Sequence, residues 1–275
     1  FYTLCTIVDL EDILQMEVRM KKYLQSLKIE YLNSKEYFIS FVSSIFYIPI
    51  TIIVYYFLWK FIMKGQADIA GMNFDDVIAY FMTILVVKNS ISNTMAETYY
   101  IFQDINTGNI DTLITKPIYY PITRFFISLG RVVISMPLGI AFWIAVQLYF
   151  DKFSFASLGY FIISLFLGFC LMFQVLCILG LLTFWLKSVL SLRDIFWYIL
   201  AIFSGEVVPL AFFSGKFEMI KHNPLAGIYY IPANIINSNN MKALILEQVI
   251  YIVIFSIIIY FMWRRGIKHY ESQGG

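Results

Sequence analysis

Residues 156–186, ASLGYFIISLFLGFCLMFQVLCILGLLTFWL, contain no charged side chain. About 20 apolar residues in a helix cross the hydrocarbon of a bilayer, so this run is long enough to span with tilt or with one end in the interface. Working outward, five more stretches have the same character: residues 37–63, 77–100, 125–150, a run starting near 195, and residues 243–263. Composition agrees, with 60% hydrophobic and 14% charged residues and a mean hydropathy of +0.75. The sequence therefore predicts an all-α polytopic membrane protein with six transmembrane helices. Most soluble-enzyme classes are excluded at once.

The spans use nearly the whole chain and leave no room for a separate nucleotide-binding or catalytic domain. The organisation reads as a cytoplasmic N-terminal region (1–36), a six-span domain (37–264) and a cytoplasmic tail (265–275). In the first region Leu10, Ile13, Leu14, Met20, Leu24 and Leu27 form an apolar stripe beside Lys21, Lys22, Glu11, Asp12 and Glu17. This pattern is either an amphipathic helix in the membrane interface or one packed on a partner. The first forty residues are mixed in charge and show no cleavable leader. Pro49 predicts a kink in the first span, and Ala141 and Ala145 predict a small-residue packing face in the third.

With the N-terminus inside, Lys21, Lys22, Lys116, Arg124, Arg131, Lys187, Arg193 and the tail arginines fall on inner segments. On the outer segments, Lys60, Lys64, Lys152, Lys216, Lys221 and Lys242 are offset by Asp68, Asp75, Asp76, Asp151, Glu206 and Glu218. The inner excess places both termini in the cytoplasm. Frequent Ile, Asn, Lys and Tyr suit an AT-rich bacterial genome, hence a bacterial cytoplasmic membrane. Residues 214–240 are only half-polar and broken by Pro224, Gly227 and Pro232. They predict short outer helices or a re-entrant pair between spans five and six.

Two segments are candidates for function. The inner connection from Gln103 to Pro117 offers a short helix after Gly108, with Ile110, Leu113 and Ile114 as an apolar knob among Asp104, Asp111 and Lys116. It is either a handle for a soluble partner or a plain connector. Nearer the membrane centre, Lys88, Asn89 and Asn93 form a polar surface in the second span. Lys88 either faces a polar route or snorkels to the interface. Gly205 and Pro209 break the fifth span beside Glu206. Glu206 is an interfacial carboxylate, a lining of the route, a partner of Lys216 or Lys221, or a proton carrier. A proton relay lacks a second intramembrane acid in this reading.

Other chemistry finds no support. There is no G-x-x-x-x-G-K-[ST] phosphate loop. Cys5, Cys170 and Cys177, with His222 and His269, form no metal-ligand cluster, and the cysteines read as ordinary buried thiols. No nucleophile and base are brought together. The net charge of +2 carries no nucleic-acid signature.

The loop Asp104-Ile105-Asn106-Thr107-Gly108-Asn109-Ile110-Asp111 through Leu113, then Lys116-Pro117-Ile118, resembles the membrane-spanning permeases of type-2 ABC exporters. So do Arg124-Phe125-Phe126, Gly130-Arg131, Pro209-Leu210-Ala211-Phe212-Phe213, Tyr230-Ile231-Pro232-Ala233 and the ending Gly266-Ile267-Lys268-His269-Tyr270-Glu271-Ser272-Gln273-Gly274. Their order along the chain is similar to the compact six-span branch that works with a separate ATPase. The resemblance implies a dimer of identical or homologous permeases with two ATP-binding cassette ATPase subunits. ATP and Mg would bind on the partner, with no cofactor on this chain and no catalytic site of its own. The segment Asp104, Gly108, Ile110, Asp111, Leu113, Ile114, Lys116 and Pro117 would seat in the ATPase. The cargo would be an amphipathic compound, a peptide or a lipid-linked molecule. An ion-coupled secondary transporter and a non-transporting scaffold are the alternatives.

Overall fold

A computed structural model describes residues 20–33, 35–64, 68–69, 71–111, 119–213, 215–236, 238 and 240–270. The described residues are helical almost throughout. In chain order the α-helices are α1 (20–33), α2 (Lys35–Ile62), α3 (Phe74–Ile91), α4 (Glu97–Asn106), α5 (Tyr120–Val132), α6 (Ser135–Tyr149), α7 (Phe155–Leu181), α8 (Val189–Phe203), α9 (Tyr230–Asn234) and α10 (Met241–His269). Among the described residues, α7 with its 3-10 extension to Phe184 and α10 are long and apolar enough to cross a membrane. The pair α5–α6 adds a third crossing if its two halves, bent by 49°, are one span. α2, 28 residues long, matches the first expected span in length, and two other expected spans fall short for physical reasons. α3 carries Asp75, Asp76 and Lys88, and α8 is only 15 residues long.

The second span is not one helix. α3 begins with a capping box: Asn73 Oδ1 accepts from the Asp76 amide at 2.9 Å, and Asp76 Oδ2 accepts from the Asn73 amide at 3.1 Å. It ends at Ile91, where a 3-10 turn over Ser92–Thr94 intervenes before α4. The cause is the polar run. Ser90 Oγ donates to the Val86 carbonyl at 2.7 Å and Ser92 Oγ to that of Asn89 at 2.9 Å, competing with the helical ladder. The third span starts earlier than expected, at Tyr120, and bends before Pro137. Pro137 has no amide hydrogen to offer the preceding turn.

The core forms where α3, α6, α7 and α9 meet. Trp143 stacks on Phe161 with ring centroids 4.3 Å apart, and Phe81, Ile84 and Leu165 are buried beside them. The small-residue face is not the expected one, since Ala141 and Ala145 are exposed. Gly139 makes the close approach instead. A Cβ there would lie 1.8 Å from Ser90 Oγ, so only glycine allows α6 this near α3.

The half-polar segment after α8 is drawn inward. Two 3-10 turns, Leu210–Phe212 and Gly215–Lys221, lead to Ala226, Ile228 and Tyr229, all fully buried, and then to α9. Gln248 on α10 staples this segment by donating to the Gly227 carbonyl at 2.7 Å and accepting from Ser164 Oγ at 2.9 Å. The segment thereby packs α9 against α3 and α7.

Candidate coupling site

α4 repeats acidic and aromatic residues along one face: Glu97, Tyr100 and Asp104 at helical spacing. α5 presents Arg124 and Arg131, two turns apart, to that face. Glu97 has no solvent exposure and binds both arginines, Arg124 Nε at 2.6 Å and Arg131 Nη1 at 3.2 Å. Tyr100 lies under both cations, 4.1 Å from Arg131 Cζ and 5.3 Å from Arg124 Cζ. Toward the end of α4, Asp104 accepts from the Tyr120 hydroxyl at 2.7 Å and lies 3.6 Å from Arg124 Nη1.

The N-terminal helix joins this cluster. Arg131 Nε donates to Glu30 at 2.7 Å, the Tyr119 amide donates to the Tyr23 hydroxyl at 2.9 Å, and Tyr23 stacks on Phe126. A Cβ on Gly130 would lie 2.8 Å from the Leu27 carbonyl oxygen, so α1 rests directly on α5. Its other side leaves Met20, Leu24 and Ile29 exposed. One side of the helix is thus packed on the chain's own α5, and the other is apolar and open.

The turn that follows α4 is built on the same framework. Ile110 donates its amide to the Asp104 carbonyl at 3.0 Å, and Asp111 donates to that of Gly108 at 3.0 Å. Ile110 is fully buried, packed with Ile101, Ile105, Tyr120 and Trp263. This corrects its assignment to an exposed knob: Ile110 anchors the turn to α4, α5 and α10. Gly108 and Asp111 are half-buried beside the tail. Tyr270 reaches this turn from the end of α10, its hydroxyl 4.0 Å from where a Gly108 Cβ would stand. Burial, and then the Asp111 carboxylate, raise the Tyr270 pKa. Leu113, Ile114, Lys116 and Pro117 lie outside the described residues.

The second set of candidates divides. Lys88 Nζ pairs with Glu206 Oε1, joining the end of α3 to the break after α8. Lys221 pairs with Glu218 instead of Glu206. Asn89 is half-buried, while Asn93 donates to the Arg131 carbonyl at 3.2 Å and so belongs with the arginine cluster. Gly205 has φ +81 and its carbonyl accepts from the Tyr80 hydroxyl at 2.8 Å. Pro209 is buried and opens the 3-10 turn over Leu210–Phe212.

Sequence reasoning missed Glu97 entirely. It is a fully buried acid held between two arginines. The signal was present as two pairs of opposite sign at the same spacing, Glu97 with Asp104 and Arg124 with Arg131. Among the described residues no group of three or more His, Cys, Asp or Glu is placed to hold a metal ion.

The family described as ABC-2 family transporter protein matches residues 49–274, and the chain belongs to it. A comparison with curated proteins finds no match. Family membership makes it a multi-pass membrane permease with a role in transmembrane transport and no catalytic site of its own.

Proposed function

We propose that the chain is the transmembrane subunit of an ATP-driven exporter in a bacterial cytoplasmic membrane. It crosses six times, keeps both termini in the cytoplasm, and pairs with an identical or homologous permease. A separate ATP-binding cassette ATPase, which carries ATP and Mg, seats on the segment from Asp104 to Pro117. The observation that carries this reading is the buried cluster of Glu30, Glu97, Asp104, Arg124 and Arg131. It ties the turn after α4, the N-terminal helix and α5 into one unit, so a push at the turn moves all three together. The mechanism is mechanical: nucleotide closes the ATPase pair, the turn and α1 shift, and the contacts around Lys88 and Glu206 rearrange to open a route for an amphipathic cargo.

The ion-coupled alternative needs an intramembrane acid free to take up an ion or proton. Glu97 and Glu206 are each engaged by cations, which favours the ATP-driven reading. The test is reconstitution of the chain with its ATPase in lipid vesicles, with and without ATP, across amphipathic cargos. Cargo movement that requires both ATP and the ATPase supports the exporter. Movement driven by an ion gradient without the ATPase, or no movement while the ATPase still binds, overturns it.

A further inference from the structure

A groove of about 430 Å³ opens between the first turns of α5, the inner half of α7 and the middle of α10. That volume suits a small-ligand site. Its wall is apolar, with Ile122, Phe125, Cys170 and Ile252 among the lining side chains. Across the wall Gln174 Nε2 donates to Ser256 Oγ at 2.7 Å and to the Ile252 carbonyl at 3.0 Å. Among the described residues α7 and α10 are helices long and apolar enough to cross a membrane, and a groove between two spans is open to acyl chains.

One row of α10 continues from this groove to a charged end. Ile252, Ser256, Tyr260, Arg264 and Lys268 follow at four-residue steps, a row that winds about 40° per step around the helix and so keeps Arg264 and Lys268 within a quarter-turn of Tyr260. The first three line the groove; Arg264 and Lys268 are exposed beyond it. Tyr260 makes the join, accepting from Arg264 Nη1 at 2.8 Å. About 12 Å of helix separates Ser256 from Arg264, a span within one acyl chain's reach. No acidic residue interrupts α10 after Glu247. An apolar slot that ends in cations at the membrane surface is the complement of an anionic lipid.

We propose that this groove seats one acyl chain of an anionic glycerophospholipid from the leaflet on the C-terminal side, with its phosphate at Arg264 and Lys268. The site is separate from the Lys88–Glu206 region and does not depend on the exporter reading. The lipid wedges α5 against α10 and thereby steadies the helix that carries Arg124 and Arg131.

The test is native mass spectrometry of the purified full chain titrated with phosphatidylglycerol, or with phosphatidylcholine of the same acyl chains. The expected result is one phosphatidylglycerol retained at least about fivefold over phosphatidylcholine. C170W and, separately, I252W fill the groove from two different helices and abolish that preferred retention. Circular dichroism and monodispersity identify which variants remain folded. R264Q combined with K268Q removes the difference between the two lipids. Equal retention of both lipids by the unaltered chain overturns the proposal. So does phosphatidylglycerol retention that survives in a folded groove-filled variant. Cross-linking between copies through S256C, with no lipid retained, overturns it in favour of a second chain.

Discussion

Glu97 has no solvent exposure and sits 2.6 Å from Arg124 Nε, with Arg131 Nη1 on its other carboxylate oxygen at 3.2 Å. One carboxylate therefore fixes two guanidinium groups that stand two turns apart on α5. In turn Arg131 holds Glu30 of the N-terminal helix at 2.7 Å. Removing the central charge leaves two buried cations short of a partner, which costs about 3–5 kcal/mol when a buried pair is broken on one side. Glu97→Gln is expected to lower the stability by that margin, read as a lower thermal midpoint, and, under the proposed function, to uncouple ATPase activity from cargo. Adding Arg124→Gln removes one of the two stranded cations and recovers part of the stability. Differential scanning fluorimetry on the two variants decides it, and an undiminished midpoint in Glu97→Gln would refute the role assigned to the cluster.

The contact between α3 and α6 makes a second, purely steric prediction. A Cβ at position 139 collides with Ser90 Oγ at 1.8 Å and meets Ser90 Cβ at 3.1 Å. Gly139→Ala forces those helices apart, and overpacking of this kind costs about 1–3 kcal/mol. Ser90→Ala removes the closer atom, so the double variant recovers most of the loss. A double-mutant cycle on thermal midpoints measures the coupling; additive effects would show that the two positions do not touch.

Gly205 combines strain with contact. Its φ of +81 belongs to the region that residues with a Cβ rarely adopt. A Cβ there would also come within 2.5 Å of the Tyr80 hydroxyl. Gly205→Ala is expected to destabilise by at least about 1–2 kcal/mol from the backbone alone. Tyr80→Phe in the same chain relieves the collision and leaves the strain, so it restores part of the loss. Full restoration would mean that the backbone at 205 relaxes freely.

The sequence carries some of this architecture openly and conceals the rest for definite reasons. α7 is readable because nothing in it is charged and its run exceeds the bilayer. The break between α3 and α4 is hidden, because serine, asparagine and threonine leave a hydrophobic span intact by composition while bonding to their own backbone. Ile110 looks exposed beside Asp104 and Asp111, and only the fold back onto Asp104 and Trp263 turns it inward. Glu97 is harder still. Its arginines lie 27 and 34 residues downstream, so periodicity within either helix reports a charged face without naming its partner. Gly139 was passed over for Ala141 and Ala145 because a small-residue pattern shows where approach is allowed, not which side of the helix receives it.

The pair of Lys88 and Glu206 distinguishes a structural tie from a moving part. It joins the end of α3 to the break after α8, and both side chains are partly exposed, 32% and 20%. A tie that serves only the fold requires neutrality; a tie that rearranges during transport requires the charges themselves. Lys88→Met leaves Glu206 without its cation, so both stability and export are expected to fall. Combining it with Glu206→Gln removes the stranded charge, and the thermal midpoint is expected to return close to that of the unaltered chain. Under the proposed mechanism uptake does not return with it, because the double variant lacks the contact that would break and re-form on opening. Measuring midpoint and ATP-dependent cargo uptake on the same vesicle preparations separates the two roles. Recovery of uptake together with stability would assign the pair to the fold alone and move the route elsewhere in the molecule.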